Sequence, residues 1–162
     1  MQRIQALEDT EQVRQLQYRY VNDLTFAQWD DVVNLFSDDA VLEVFVGREP
    51  IRGKAAIEKT FKGEIAKSSK HSGKEANIVV HPLITVTGDK AESNSVIYFI
   101  TAYDPETDAP QKELHLLQGI YDARYSRVNG KWKISYLKWT PRLALPKPSA
   151  DQLPPKPETQ QK

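Results

Sequence analysis

The chain contains no cysteine, which removes disulfides, thiol nucleophiles and thiolate metal sites from the chemistry open to it. That absence fits a reducing compartment. Charge of one sign is missing too: 22 basic residues balance 22 acidic ones, so no overall field draws nucleic acid or an anionic membrane. Neither is expected as a partner. No stretch approaches the 18 consecutive apolar residues of a spanning helix, and the opening MQRIQALEDTEQVRQLQYRY is too polar for a secretory signal. The expectation is a cytoplasmic protein. Histidine is scarce, with three in the chain, so few groups can act as bases near neutral pH.

What remains is a 162-residue chain that is 40% apolar and 27% charged, enough for one core but not two. Val13, Leu16, Tyr20, Leu24 and Ala27 recur at three- and four-residue intervals and predict one buried face of a long first helix. A second helix carries Trp29, Val32, Val33 and Phe36 on one stripe, with Asp30 and Asp31 in its first turn, where carboxylates suit the helix dipole. Ser37-Asp38-Asp39 is read as its end and as a corner. Val41 to Val46 reads as a strand, Gly47 to Gly53 as a loop, and Lys54 onward as a third helix with Ile57 and Phe61 inward.

Ser68 to Ala76 lacks periodicity and reads as a mobile connection, a candidate lid, with His71 solvated. Strands follow at Ile78–Thr87, Ala91–Tyr103, Glu113–Val128 and Lys131–Thr140. They are joined by Gly88-Asp89, by a turn from Asp104 to Ala109, and by Asn129-Gly130, a strong hairpin signal because both residues tolerate positive φ. Helices followed by an antiparallel meander indicate an α+β domain. Residues 1–143 form that domain, and 144–162, rich in proline, an extended or disordered tail.

The order of pieces in YVNDLTFAQWDDVVNLFSDDAVLEVFVGREPIRGKAAIEKTF, Tyr20 to Phe61, resembles the opening half of SnoaL-like, ketosteroid-isomerase-like proteins of the NTF2-like superfamily. HPLITVTGDKAES, from His81, and YSRVNGKWKISYLKWTPRL, from Tyr125, resemble the later strands, so the likeness runs from about Val13 to Leu143. It is nearest to the branch of scytalone dehydratase, bile-acid dehydratase, dehydrochlorinase and polyketide cyclases. The resemblance implies a cone: three N-terminal helices packed on a curved antiparallel sheet around an apolar cavity. It implies a hydrophobic small-molecule ligand, no cofactor or metal, and a homodimer or homotrimer.

In the dehydratase branch an Asp–His pair removes the substrate proton. Those positions fall here on Thr25 and Asn77, and the isomerase branch's general-base Asp falls on Val44. Neither Thr nor Asn takes up a proton at neutral pH. Strand alternation, provided no bulge intervenes, aims Asn77, Val79, His81, Leu83 and Thr85 inward, as it does Ile97, Phe99, Thr101 and Tyr103, and His115, Leu117, Gly119 and Tyr121. His81 and His115 are thus the candidate general bases, with a hydrogen-bonded structural histidine as the alternative reading of each. Tyr20 matches a tyrosine that polarises a substrate oxygen in relatives, and Thr25, Asn77, Thr101, Tyr121, Trp139 and Arg142 are the candidate binding residues. Asp23 is set aside as an exposed partner of Arg19. Three readings stand: a cofactor-independent lyase or isomerase acting on a polyketide, terpenoid or steroid-like compound, a binding protein without chemistry, and an oligomeric partner-binding subunit.

Overall fold

The computed structural model describes residues 2–68, 75–103 and 110–145. In chain order the elements are α1 (Gln2–Thr25), α2 (Trp29–Asn34), β1 (Phe36–Glu43), β2 (Ile51–Arg52), α3 (Lys54–Lys59), a π-helical turn (Thr60–Ile65), α4 (Ala66–Ser68), β3 (Glu75–Thr87), β4 (Lys90–Tyr103), β5 (Pro110–Val128) and β6 (Lys131–Leu145). The six strands form one curved, unclosed sheet in the order β2-β1-β6-β5-β4-β3. All neighbours are antiparallel except β1 and β6, which run parallel.

The helices cover one face of this sheet because each strand sends alternate apolar side chains toward them. On β4 the inward set begins Ala91, Ser93, Ser95, Ile97, and on β5 it includes Tyr121, Ala123 and Tyr125. Val13, Tyr20, Val21 and Leu24 on α1 meet them, with Phe36, Leu42, Ile57 and Phe61 filling the space between. Asn129 and Gly130 both adopt left-handed φ, of 49° and 76°, as the two-residue hairpin between β5 and β6 requires.

Several sequence expectations are revised. Helix α1 stops at Thr25, and Ala27 takes a left-handed φ of 52° in the turn that follows, so it leaves the helix face. α2 ends at Asn34, and Ser37-Asp38-Asp39 belongs to β1, where the pairing with β6 slips between Phe36 and Val41. Strand β3 begins at Glu75, inside the stretch read as a mobile connection, and β6 continues through Ala144 and Leu145, assigned above to the tail. Asp23 is buried rather than an exposed partner of Arg19. His71, the turn at 104–109 and residues 146–162 lie outside the described residues.

Bulges decide which side chains face inward, and one in β3 and one in β6 bear on the candidate residues. In β3 the pairing runs Val80↔Val96 and resumes at Leu83↔Asn94, so three steps on β3 meet two on β4. The extra residue falls at His81-Pro82, where proline has no N–H to give the ladder and His81 sits at a φ of 52°. Beyond it the alternation reverses: Ile84 and Val86 pack on the core while Leu83 is 74% exposed. In β6 the pairing jumps from Pro141, opposite Gly119, to Leu143, opposite Gln118, leaving Arg142 as the unpaired extra residue.

Candidate functional site

Between the helices and the sheet lies an apolar cavity of about 200 Å³. Tyr20 and Leu24 of α1, Phe61 and Ile65 of the π-helical turn, and Val44 and Phe45 just after β1 form one side. Phe99, Leu117, Tyr121 and Trp139, from β4, β5 and β6, form the other. The aromatic rings brace one another edge to face: Phe99 meets Trp139 at 5.6 Å and Tyr121 at 6.3 Å, and Tyr20 meets Tyr121 at 6.0 Å. Such contacts fix ring positions, so the cavity keeps its shape without a ligand.

Close approach of Trp139 to β5 depends on Gly119. A Cβ at position 119 would stand 2.5 Å from both Trp139 Nε1 and the Thr140 carbonyl oxygen. The glycine is the slot that admits the indole. Trp139 Nε1 is itself buried without a hydrogen-bond partner.

The ionisable groups in the walls are the phenols of Tyr20 and Tyr121. Burial pushes both well above the ordinary tyrosine range, and each hydroxyl influences the other. They are therefore neutral and able to donate a hydrogen bond. Deeper in the core a separate polar chain runs from Gln17 Nε2 to Ser93 Oγ at 2.7 Å and on to the Tyr125 hydroxyl at 3.0 Å. Burial raises Tyr125 as well.

Thr25 and Asn77 are brought together. Asn77 Nδ2 donates to Thr25 Oγ1 at 3.2 Å and the Asn77 backbone N–H does so at 3.3 Å, while the Thr25 hydroxyl donates to the Val21 carbonyl at 2.9 Å. Asn77 stands directly opposite Phe99 on β4, so the pair adjoins the cavity wall. Asn77 Nδ2 also reaches Glu75 Oε1 at 3.3 Å. Glu75 was missed in the sequence because it lay in a stretch read as loop. Its position two residues before Asn77, hence on the same strand face, was the available signal.

The other candidates are placed as follows. Thr101 lies on the inward face, but its hydroxyl is engaged with the backbone of Tyr103, accepting from the N–H at 3.1 Å and donating to the carbonyl at 3.3 Å. His115 is opposite Thr101, one row above Leu117, and is exposed. His81 is corrected: the β3 bulge removes it from the inward row and leaves it exposed. Arg142, the bulged residue of β6, is likewise exposed and lines no part of this cavity. Val44 is a wall residue, so the position of the isomerase carboxylate carries no charge. Among the described residues no cluster of three or more His, Asp or Glu side chains is arranged to hold a metal, and no helix is long and apolar enough to cross a membrane.

Residues 5–138 match the sequence profile of the SnoaL-like domain. Among solved structures, LinA superposes with a TM-score of 0.75 at 14% identity over 89% of this chain and 92% of its own. The hexachlorocyclohexane dehydrochlorinase LinA-type3 of Novosphingobium barchaimii gives 0.70 at 16% identity, covering 85% of this chain and 89% of that one. An NTF2-like protein with a cystatin-like fold from Novosphingobium aromaticivorans gives 0.68 at 21% identity, covering 92% and 89%. At these identities the likeness establishes the fold alone. Among curated protein sequences, none matches this chain significantly.

Proposed function

The chain belongs to the SnoaL-like domain family, and from that membership we propose a lyase- or isomerase-like protein acting on an uncharged, hydrophobic ring compound of the polyketide or terpenoid kind. The observation that carries this is the cavity: walls of aromatic and aliphatic side chains, with two phenols kept neutral by burial. A desolvated anion has no counter-charge there, so the guest is neutral. A dry apolar cavity of roughly 150 Å³ accepts benzene. A volume of about 200 Å³ therefore suits one substituted ring or two fused ones rather than a steroid.

Tyr20 and Tyr121 are the donors for a substrate carbonyl. A neutral phenol aimed at the oxygen stabilises the negative charge that develops when a neighbouring C–H proton departs, and exclusion of water strengthens that bond. The proton leaves toward the side of the cavity next to Phe99, where Asn77 and Thr25 hold their hydrogen-bonded pair. Because that pair has no ionisable member, a second reading, binding without chemistry, has a specific observation in its favour. Calorimetric titration with 2-tetralone, a neutral two-ring ketone, tests the shared premise. Binding is expected; Tyr121→Phe should weaken it about 2- to 10-fold, the span of one neutral hydrogen bond, and Leu117→Trp, which fills the cavity, should abolish it. No heat of binding from the native protein, or an unaltered affinity in Leu117→Trp, overturns the cavity as the ligand site.

A further inference from the structure

We infer that Glu75 is the proton acceptor of this site, a carboxylate set one strand row above the position where the family keeps its histidine. The inference rests on the cavity reading above and adds the base that reading lacks. The sheet register defines two rows across the concave face. Asn77, Phe99 and Leu117 lie side by side on β3, β4 and β5, and the last two line the cavity. Glu75, Thr101 and His115 form the next row along the strands. Adjacent rows on one face are two residues apart, about 7 Å along the strand.

The Glu75 side chain closes that gap. Its Oε1 accepts from Asn77 Nδ2 at 3.3 Å, so the carboxylate is turned back down the strand toward the cavity row. Asn77 is fixed in turn by Thr25, whose hydroxyl accepts from both its amide and its backbone N–H and is itself anchored on the Val21 carbonyl. The residues at the dyad positions thus act as positioning residues. They hold a carboxylate, half-buried and opposite Thr101, one strand row from the residues that line the apolar chamber. His115, across Thr101 on the far strand, is exposed and has no such tether among the described hydrogen bonds.

The step is a proton transfer. The bond from hydrogen to the carbon next to the carbonyl breaks, the proton goes to a Glu75 oxygen, and the electron pair moves into the carbonyl as an enolate held by a phenol hydroxyl. In D2O the carboxyl exchanges with solvent and returns a deuteron to carbon, so no oxidant, reductant or leaving group is needed.

The test follows deuterium incorporation at C1 of 2-tetralone by mass spectrometry, with affinity measured in parallel. The native protein should accelerate exchange above buffer. Glu75→Gln should lower the bound-state rate at least about 100-fold, in the range general-base catalysis contributes, while affinity changes less than about threefold. Asn77→Ala, which removes the hydrogen bond to Glu75 Oε1, should lower the rate about tenfold with affinity changed less than about threefold, a split that loss of fold would not produce. Exchange in Glu75→Gln within threefold of native, with binding intact, overturns the role of Glu75 and leaves the cavity reading standing. Binding by the native protein without accelerated exchange does the same. Absence of binding by the native protein overturns both.

Discussion

Asp23→Asn should make the protein more stable at neutral pH, by about 1 kcal/mol. Asp23 sits on α1 only 5% exposed, and its Oδ2 is buried with no hydrogen-bond partner. Burial is the main reason its carboxyl is held above the ordinary aspartate range, and the nearby Asp31 pushes the same way, against weaker support from Asn22 and Arg19. A buried polar atom without a partner costs roughly 1–3 kcal/mol. The amide removes the charge but still leaves one polar atom unmatched, which places the gain at the low end. The sign with pH follows from proton uptake. Between the unfolded value near 3.9 and the higher folded one, the folded state holds the extra proton, so native stability falls as pH rises through that window and levels off above it. The variant lacks this loss. Thermal unfolding followed by circular dichroism should therefore show its Tm about 2–4 °C above native at pH 8, with the two curves converging as pH drops toward 4. A variant less stable than native at pH 8, or a gap that persists unchanged into acid, would refute the argument that Asp23 is charged and under-solvated in the fold.

Two further perturbations probe other parts of the frame. Gly119→Ala forces a methyl group to within 2.5 Å of the indole nitrogen and the Thr140 carbonyl; overpacking of this kind costs about 1–3 kcal/mol, and displacement of Trp139 into the cavity should also weaken 2-tetralone binding, so native-like stability and affinity together would contradict the slot. Asp9 is bonded by Arg127 at 2.5 Å and by Gln5 at 3.2 Å, and Arg127, which lies over Trp132 at 4.5 Å, holds the Asp9 carboxyl below its ordinary range. Its stabilisation is present above the unfolded value and lost as pH falls through the lower folded one, so Asp9→Asn should cost about 2 kcal/mol in urea unfolding at pH 7, with the gap narrowing toward pH 3; a loss that stays constant with pH would assign the effect to packing instead.

Periodicity, turn chemistry and residue order carried most of the fold into view before any coordinates. The strands from Ile78 onward were legible because alternation and the Gly88-Asp89 and Asn129-Gly130 turns agree with one another, and α1 because its apolar spacing persists for several turns. Parity within a strand was not legible. A bulge adds a single residue, and nothing in the composition of Val79 to Leu83 distinguishes a strand that contains one, although Pro82, unable to donate to the ladder, is the residue where interruption costs least. That one residue removes His81 from the inward row, and with it one of the two imidazoles that alternation had placed there.

The same reasoning explains why Glu75 was invisible while Asn77 was not. Asn77 could be found by counting back from a turn, whereas Glu75 gains its meaning from a side-chain direction: a carboxylate on a strand end would ordinarily extend into water, and here it folds back onto an amide that a threonine 52 positions away holds in place. An asparagine in place of a histidine takes away a base and supplies a donor. The amide donates to a carboxylate from the row above while taking up no proton itself. A variant carrying Asn77→His places a base in the cavity row and should shift the dependence of proton exchange from the carboxylate to the imidazole. Exchange in Asn77→His that still collapses when Glu75→Gln is added would show that the two positions do not trade roles.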